Sequence, residues 1–455
     1  MKNIKMLVPV VVLLVTVLGF YTMIDTNTQK MKQYNETLQI ARDYASQGIV
    51  DDAVKYFEKA LTMDTDVDTY IEYVNVYVDN GYEKKALRVA EEMVNKLKDS
   101  EKAYECLLDR YIQLESYEDC FKLNDEAESR NMRTDEFINK MAEIEYKYAD
   151  DYQLFSTVKT YSNGYVSVES GDLYGILDET GGNVLRRTYK NAGHFSYYTS
   201  KNKDDSGFVV PIQTKDDKWM YISDKGNKKI DIPEDINFDY LGLFVDKGLT
   251  SASVNGKYAY YNSSFEKQFG DYSYASTFNC ARAFIMEGEN EWYLINESGE
   301  KLNSIAYTAV VFDEKEIAFR NDRAFVAIDG SYRMIDVDGN VIGDGKYVNA
   351  SPFFETDATG KESKQSLAAV NIDGKWGFVN KNGEVIIEAK FESAHSFANS
   401  FAAVEKDGKW GFVNTNGEIV IDCVFEDVKD FNTKGCVFVM QNSRWHLIKL
   451  YKYNH

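Results

Sequence analysis

Two fourteen-residue segments near the C-terminus of the chain are nearly identical. DGKWGFVNKNGEVI runs from Asp373 to Ile386, DGKWGFVNTNGEIV runs from Asp407 to Val420, and eleven of the fourteen letters match. Such a repeat constrains the fold strongly, because each copy forms one supersecondary unit that cannot bury its apolar face alone. The chain must therefore stack several of these units against one another.

An aromatic residue marks the same position of this repeat eight times. The eight are Tyr174, Trp219, Tyr258, Trp292, Tyr332, Trp376, Trp410 and Trp445. Successive spacings are 45, 39, 34, 40, 44, 34 and 35 residues, and all five tryptophans of the chain fall on this phase. We interpret these aromatics as structural residues packed between sheets. Four of the tryptophans should be mostly buried, and Trp445, in the last unit, should be the more exposed one.

A turn pattern follows most of these aromatics at a fixed distance. Glycine stands seven residues later in six of the eight units: Gly181, Gly226, Gly299, Gly339, Gly383 and Gly417. An Asn or Asp stands four residues after the aromatic in most units, for instance Asn380 and Asn414. An Asx side chain opening a loop and a glycine with positive φ near its end predict a tight hairpin between two strands. Each unit then holds three or four short strands.

About eight such units predict an all-β repeat domain over residues 155–455. Four strands in about 40 residues is the usual size of a propeller blade, so we favour a β-propeller-like ring. An open β-solenoid is the alternative.

The phrase GKWGFVN followed by NGE resembles the WG-repeat family, also called KWG repeats. The resemblance extends over about residues 155 to 450 and is strongest around Trp376 and Trp410. In five units another residue replaces the glycine after the aromatic: Met220, Ala259, Tyr293, Arg333 and His446. The resemblance implies a repeat scaffold and brings no activity with it.

Residues 30–150 have helical periodicity. Segments starting at Gly48, Gly81 and Glu115 align, and each has a small residue five positions later, namely Ala53, Ala86 or Cys120. Two helices per roughly 34 residues resemble the tetratricopeptide (TPR) family. The resemblance implies three repeats and a last helix capped by Thr134. Such an array can hold a peptide in its groove or act as a spacer.

Residues 1–25 contain a long uncharged run between Lys5 and Asp25, which predicts a transmembrane anchor. Lys2 and Lys5 precede this run, so the positive-inside rule places the N-terminus in the cytoplasm and the bulk of the chain outside. A cleaved signal peptide and the reverse orientation are the alternatives.

The sequence contains no motif that is typical of a catalytic, metal-binding or nucleic-acid-binding site. A formal net charge of −21 and the lack of a basic run argue against nucleic-acid binding. The five cysteines have no CxxC spacing, the four histidines are isolated, and no nucleotide-binding, zinc-protease or nucleophile-elbow motif occurs. We therefore assign no catalytic, cofactor-binding or metal-binding residue.

These patterns together predict a membrane-anchored bacterial surface protein that binds a protein or a glycan and is not an enzyme. The alternative is an extracellular hydrolase or lyase with carboxylates gathered in a propeller channel, which would leave no local motif.

Overall fold

The computed structural model describes residues 27–199, 206–228, 230–245, 248–354 and 366–455. The chain divides into a unit of residues 1–147 with His455 and a unit of residues 148–454. The predicted anchor, residues 1–25, lies outside the described residues. No helix in the described ranges is long and apolar enough to cross a membrane.

The first unit is helical, as the sequence predicts. Its described part contains α1 (residues 27–46), α2 (Val50–Leu61), α3 (Val67–Asp79), α4 (Glu83–Lys96), α5 (Glu101–Gln113), α6 (Tyr117–Arg130) and α7 (Asp135–Glu143). From α2 to α6 each helix packs against the next, and α5 also contacts α3 and α7. The small residues Ala53, Ala86 and Cys120 are completely buried, so they allow this close packing.

Left-handed turns join the helices of each pair. Gly48 and Gly81 have φ of +72° and +75°, and Glu115, at the same position of the third segment, has φ of +55°. The amide of Glu115 donates to Ile112 O and that of Ser116 donates to Tyr111 O, which is the Schellman pattern that ends a helix. As predicted, Thr134 caps α7, since its side chain accepts the amide of Phe137 at 3.1 Å.

The second unit consists of eight small sheets in its described part, which we number as blades in chain order. Blade 1 contains β2 (Thr157–Val158), β3 (Tyr165–Ser170), β4 (Leu173–Asp178) and β5 (Asn183–Tyr189). Blade 2 contains β6 (Asn191–Ala192), β7 (Ser196–Tyr198), β8 (Gly207–Gln213) and β9 (Trp219–Ser223). Blade 3 contains β10 (Tyr240–Leu241), β11 (Thr250–Val254), β12 (Lys257–Tyr261) and β13 (Lys267–Tyr272). Blade 4 contains β14 (Tyr274–Ala275), β15 (Arg282–Met286) and β16 (Trp292–Asn296).

The remaining blades follow the same order from a short inner strand outward. Blade 5 contains β17 (Ala309–Val310), β18 (Ala324–Ile328) and β19 (Ser331–Ile335). Blade 6 contains β20 (Asn349–Ala350), β21 (Ala368–Ile372), β22 (Lys375–Val379) and β23 (Val385–Phe391). Blade 7 contains β24 (Ser393–Ala394), β25 (Ala402–Lys406), β26 (Lys409–Val413) and β27 (Ile419–Phe425). Blade 8 contains β28 (Asp427–Val428), β29 (Cys436–Gln441), β30 (Arg444–Leu450) and β1 (Tyr148–Asp150).

Blade 8 combines strands from the two ends of this unit. Its order is β1-β30-β29-β28, with Ala149 opposite Lys449 in antiparallel register. Phe155 continues the pairing, since its amide and carbonyl both bond to Trp445. The segment at the start of the unit therefore joins the last blade to the first.

Apolar clusters fill the spaces between adjacent blades. Between blades 6 and 7, Phe378 and Phe391 pack with Val404 and Ala394. Between blades 8 and 1, Phe438 belongs to one cluster with residues of β2, β3 and β4. Because the last blade packs on the first, the unit is a closed eight-bladed β-propeller. The ring is confirmed, and the open solenoid is not what the chain forms.

The glycine after the repeat aromatic allows a strand of its own blade to bulge over it. The register shifts between Trp376 and Phe378, and a Cβ added at Gly377 would lie 2.6 Å from Ile387 O. Gly175 and Gly411 make equally close approaches to the backbone of their own outer strands. In blades 4 and 5, where Tyr293 and Arg333 replace the glycine, isolated bridges stand in for a fourth strand within the described residues.

Candidate functional site

The eight repeat aromatics lie one to a blade and do not meet in a single site. Each belongs to the third strand outward from the axis: β4, β9, β12, β16, β19, β22, β26 and β30. Seven of them are partly buried, whereas Trp445 is only 6% exposed. The expectation that Trp445 is the more exposed tryptophan is therefore wrong. Phe155 of the closing segment pairs with its backbone, and Lys429 lies over its ring.

The six turn glycines lie in the hairpins that follow these third strands. Their φ angles fall between +76° and +89°: Gly181, Gly226, Gly299, Gly339, Gly383 and Gly417. At the start of one such turn, the side-chain oxygen of Asn414 accepts the amides of Asn416 and Glu418. A side chain with Cβ is strained at such φ, so the turn favours glycine, although Phe265 takes φ of +59° at this position in blade 3. Their positions are structural, at the outer edge of each blade.

A long loop between β17 and β18, residues 311–323, crosses the centre of the ring, and we call it the axial loop. Glu314 of this loop accepts the backbone amide and the hydroxyl of Thr160 in blade 1, at 2.8 and 2.6 Å. It also pairs with Lys429 of blade 8. The carbonyl of Glu314 contacts Nε2 of His194 in blade 2 at 3.1 Å. Only residues at the axis can join blade 5 to blades 1, 2 and 8.

Two further carboxylates of the axial loop, Asp313 and Glu316, also form an ion pair or hydrogen bonds. Asp313 Oδ2 lies 2.6 Å from Nη2 of Arg320, a guanidinium that is 2% exposed. Tyr240 donates to Glu316 Oε2 at 2.6 Å, and Tyr274 supplies a second hydrogen bond to the Glu316 carboxyl. Glu316 has φ of +58°, an unfavourable conformation for a residue with a side chain, and these contacts hold it there.

Burial and local charge shift the pKa values of the axial groups apart. Burial disfavours the ionised form of Glu314, but Lys429 and Thr160 outweigh it and lower its pKa to about 2. Burial raises the pKa of Glu316 despite its two tyrosine donors. Burial, with Lys159 and Lys315 nearby, lowers the pKa of His194 to about 4. At neutral pH, Glu314 is thus a carboxylate in an ion pair with Lys429.

Blade 7 adds a second histidine at the axis. His395 Nδ1 lies 3.0 Å from Asp430 Oδ1 of blade 8. Burial opposes protonation of His395, but Asp430 outweighs it and raises its pKa. An imidazole bonded to a carboxylate in this way is an oriented pair that can carry positive charge.

Two cavities border the axial loop. The larger, of about 570 Å³, has walls from blades 1 to 4 that include Phe195, Tyr197 and Phe244. The smaller, of about 240 Å³, includes His395 and Asp430 in its walls. Lys315 and Arg320 of the axial loop line both.

The arrangement offers few groups for covalent chemistry. Burial raises the pKa of all five thiols, for example that of Cys436 to about 11, so they stay protonated at neutral pH. Among the described residues, no group of three or more His, Cys, Asp or Glu side chains could hold a metal ion. Within the part of the chain that the structure describes, the axial carboxylates Asp313 and Glu314 each form an ion pair, with Arg320 and Lys429 respectively.

Comparison with known proteins identifies the family of the repeat in one part of the propeller. Residues 376–410 and 410–445 match the family described as the WG containing repeat, so the chain carries two consecutive WG repeats there. The WG-repeat assignment of the other blades and the TPR-like assignment of the helices stay predictions from the sequence. No curated protein matches the chain.

Three solved structures that resemble the chain do so at low identity. The computationally designed Ika8 protein has a TM-score of 0.41 and 11% identity, covering 66% of this chain and 97% of its own. BamB from Moraxella catarrhalis has a TM-score of 0.41 and 10% identity, covering 67% of this chain and 99% of its own. A eukaryotic initiation factor has a TM-score of 0.39 and 10% identity, covering 68% of this chain and 88% of its own. None of these likenesses carries an argument about function.

Proposed function

We propose that the protein is a non-enzymatic binding scaffold on the surface of a bacterium, held by an N-terminal membrane anchor. Its propeller binds a protein or a glycan in the cavities beside the axial loop. The helical unit acts as a TPR-like array that either docks a peptide or spaces the propeller from the membrane.

The observation that supports binding over catalysis is the pairing of the axial carboxylates. A glycosidase with a carboxylate site uses two carboxyl groups that reach the substrate, one of them protonated at working pH. Here Glu314 pairs with Lys429 and Asp313 pairs with Arg320. Glu316 alone has a raised pKa, and Tyr240 already donates to it.

The walls of the 570 Å³ cavity agree with a binding role. Ligand pockets are commonly 300–1,000 Å³, mostly apolar, with a few placed polar groups. Phe195, Phe244 and Phe278 form the apolar part, and Asn163 and Thr199 contribute polar atoms. Aromatic residues are enriched at interfaces for the same reason, since they bury a large area with few rotatable bonds.

A cavity-filling variant tests the binding proposal. The full-length protein would be assayed against arrays of bacterial polysaccharides and peptides. Thr199→Trp adds bulk at an exposed position in the cavity wall, and Thr188→Trp is the control on the outer strand β5. Binding that only Thr199→Trp abolishes supports the scaffold. Steady release of shortened glycan or peptide would instead support the alternative, an extracellular hydrolase or lyase.

The surface location rests on Lys2 and Lys5 before the apolar run and needs its own test. Protease added to intact cells, or to protoplasts where a wall shields the protein, should digest the chain after residue 25. Complete protection in protoplasts, followed by digestion after lysis, would place the chain in the cytosol.

A further inference from the structure

Glu314 of the axial loop is held as the carboxylate of a bound ligand would be. Its Oε2 accepts the amide and the hydroxyl of Thr160 at 2.8 and 2.6 Å, and its Oε1 pairs with Nζ of Lys429. An amide, a hydroxyl and an ammonium group that converge on one carboxylate form strong, charge-assisted hydrogen bonds. Thr160 and Lys429 therefore form a carboxylate-binding site, and Glu314 of the same chain occupies it. We call this pair of residues the carboxylate site.

The ring also contacts the backbone of the axial loop. His194 lies between the loop and blade 1, since its Nδ1 contacts Thr160 O and its Nε2 contacts Glu314 O, each at 3.1 Å. Two residues further along the loop, the amide of Thr277 in blade 4 donates to Glu316 O at 3.0 Å. Contacts to the main chain give affinity for a peptide, and contacts to its side chains give specificity. The axis of the propeller provides both kinds of contact.

Two tyrosines receive a second acidic side chain of the loop. Tyr240 of blade 3 donates to Glu316 Oε2 at 2.6 Å, and Tyr274 of blade 4 supplies another hydrogen bond to the same carboxyl. Glu314 and Glu316 are separated by one residue in the sequence. The carboxylate site and the two tyrosines together therefore recognise the pattern Glu-x-Glu in a peptide.

Two features indicate that the docked loop can be displaced. The side chain of Glu314 is 44% exposed, so a competing carboxylate can reach the carboxylate site. Glu316 has φ of +58°, and this strained conformation weakens the docking of the loop. A separate peptide can make the same contacts with a relaxed backbone, so it avoids the strain.

We propose that the axial loop is an intramolecular pseudoligand, a segment of the chain that occupies the site of its own ligand. The ligand is an acidic peptide segment of a partner protein, with the pattern Glu-x-Glu, and it displaces the loop from the carboxylate site. This inference rests on the proposed binding function and names the partner class as a protein segment. Because loop and partner compete for the same groups, the partner binds only molecules in which the loop has left the site, and its apparent affinity is reduced accordingly.

The test measures binding of a synthetic peptide that has the sequence of the loop from Phe312 to Ala318 to the full-length protein. The peptide is blocked at both ends, so that only its side chains are charged, and a fluorescent label reports binding by anisotropy. A matched control peptide has glutamine in place of the two glutamates. The acidic peptide should bind at least about tenfold more tightly than the control, since ionised acceptors form the stronger hydrogen bonds.

Substitutions on the two sides of the same contact should have opposite effects. Glu314→Gln weakens the docked loop and should raise the affinity of the acidic peptide about tenfold. Lys429→Gln removes a donor from the carboxylate site and should lower this affinity about tenfold, also in combination with Glu314→Gln. Glu289→Gln and Lys218→Gln, at exposed positions, are the matched controls and should leave it unchanged.

Thermal unfolding shows whether each variant is folded, and Glu316→Gln provides the same comparison at the second glutamate if Glu314→Gln is not. An unchanged or lower affinity in these loop variants would overturn the pseudoligand inference, because the loop would then support the ring without competing with a ligand. Equal binding of the two peptides would also overturn it. Binding of an array ligand that Thr199→Trp blocks, with no binding of the acidic peptide to any variant, would overturn the inference and leave the scaffold function standing. If neither kind of binding occurs, the proposed function itself fails.

Discussion

The imidazole of His395 packs against the indole of Trp410, with ring centroids 4.9 Å apart. His395 follows the short inner strand β24, and Trp410 lies on β26 of the same blade. Blade 8 repeats the relationship, with Lys429 Nζ 5.3 Å from the centre of the Trp445 ring. The repeat aromatic thus supports the axial residue of its own blade. The residues that repeat from blade to blade form the framework of the propeller. The residues after the inner strands differ between blades, and they determine the charge and the hydrogen bonds at the axis.

Replacing Trp445 should destabilise the propeller more than replacing Trp410. Trp445 is 6% exposed, so Trp445→Ala should cost about 3–5 kcal/mol of unfolding free energy. Trp410 is only partly buried, so Trp410→Ala should cost about 2–3 kcal/mol. Urea unfolding followed by circular dichroism measures both. An unchanged melting temperature in Trp410→Ala together with lost binding would make Trp410 a ligand contact instead.

The glycine after the aromatic should tolerate no side chain where the outer strand bulges. A Cβ at Gly411 would lie 2.5 Å from Ile421 O and 2.7 Å from Cys423 N. Both atoms belong to a paired strand and cannot yield easily, so Gly411→Ala should cost near the upper end of about 1–3 kcal/mol.

Gly408→Ala is the control in the same hairpin. It has open space around it, and only its φ of +70° opposes a side chain, at a cost of about 1 kcal/mol. Equal losses in the two variants would show that backbone conformation, and not the close approach, requires Gly411.

Repetition explains which parts of the propeller the sequence could predict. The sequence contains eight copies of the unit marked by Trp376 and Trp410, with seven spacings between them. Comparing the copies with one another predicts both the hairpins and the number of blades. Gly383 and Gly417 could be assigned to turns for the same reason.

Segments that occur only once in the chain could not be predicted in this way, because there is no second copy to compare them with. The closing strand β1 is three residues long, and its partner β30 lies about 300 residues away in the chain. The axial loop left a weak trace, an acidic run at Asp313–Glu316 within the 40-residue spacing between Trp292 and Tyr332. Its contacts with Thr160 and Lys429 depend on ring closure, which local patterns do not contain.

Ring closure can be tested at Phe155. This side chain is 1% exposed and lies in the cluster between blades 8 and 1. Phe155→Ala should therefore cost about 3–5 kcal/mol. Its neighbour Leu154 is 57% exposed, so Leu154→Ala should change stability by no more than about 0.5 kcal/mol. Similar effects of the two changes in thermal unfolding would contradict the closing role of this segment.

One residue of the helical unit has a strained backbone conformation, and a substitution to glycine should remove the strain. Glu115 is exposed and has φ of +55°, at the position where Gly48 and Gly81 stand in the first two segments. Glu115→Gly should stabilise the helical unit by about 1 kcal/mol, since a left-handed conformation costs about that much for a residue with Cβ. Glu115→Ala keeps the Cβ and should give no gain. A loss of stability in Glu115→Gly would show that the Glu115 side chain makes a contribution larger than the strain.

Acid should weaken the axial loop through Glu314. Its folded-state pKa of about 2 lies below the ordinary value of about 4.3 for the unfolded chain. Ionised Glu314 therefore stabilises the fold fully above about pH 4.5, and this contribution is lost as the pH falls toward 2. Glu314→Gln keeps the size of the side chain and removes the charge that pairs with Lys429.

The difference in stability between wild type and Glu314→Gln should be largest at pH 6 and should shrink steadily between pH 4.5 and pH 2.5. His194 titrates in the same range, because its pKa is lowered to about 4, and its charge interacts with that of Glu314, so the change with pH reports the two groups together. Glu289→Gln, at an exposed position, is the matched control for the removal of one surface carboxylate. Urea unfolding at several pH values measures these differences. A constant difference for Glu314→Gln would mean that the contact with Thr160, and not the charge on Glu314, holds the axial loop in the ring.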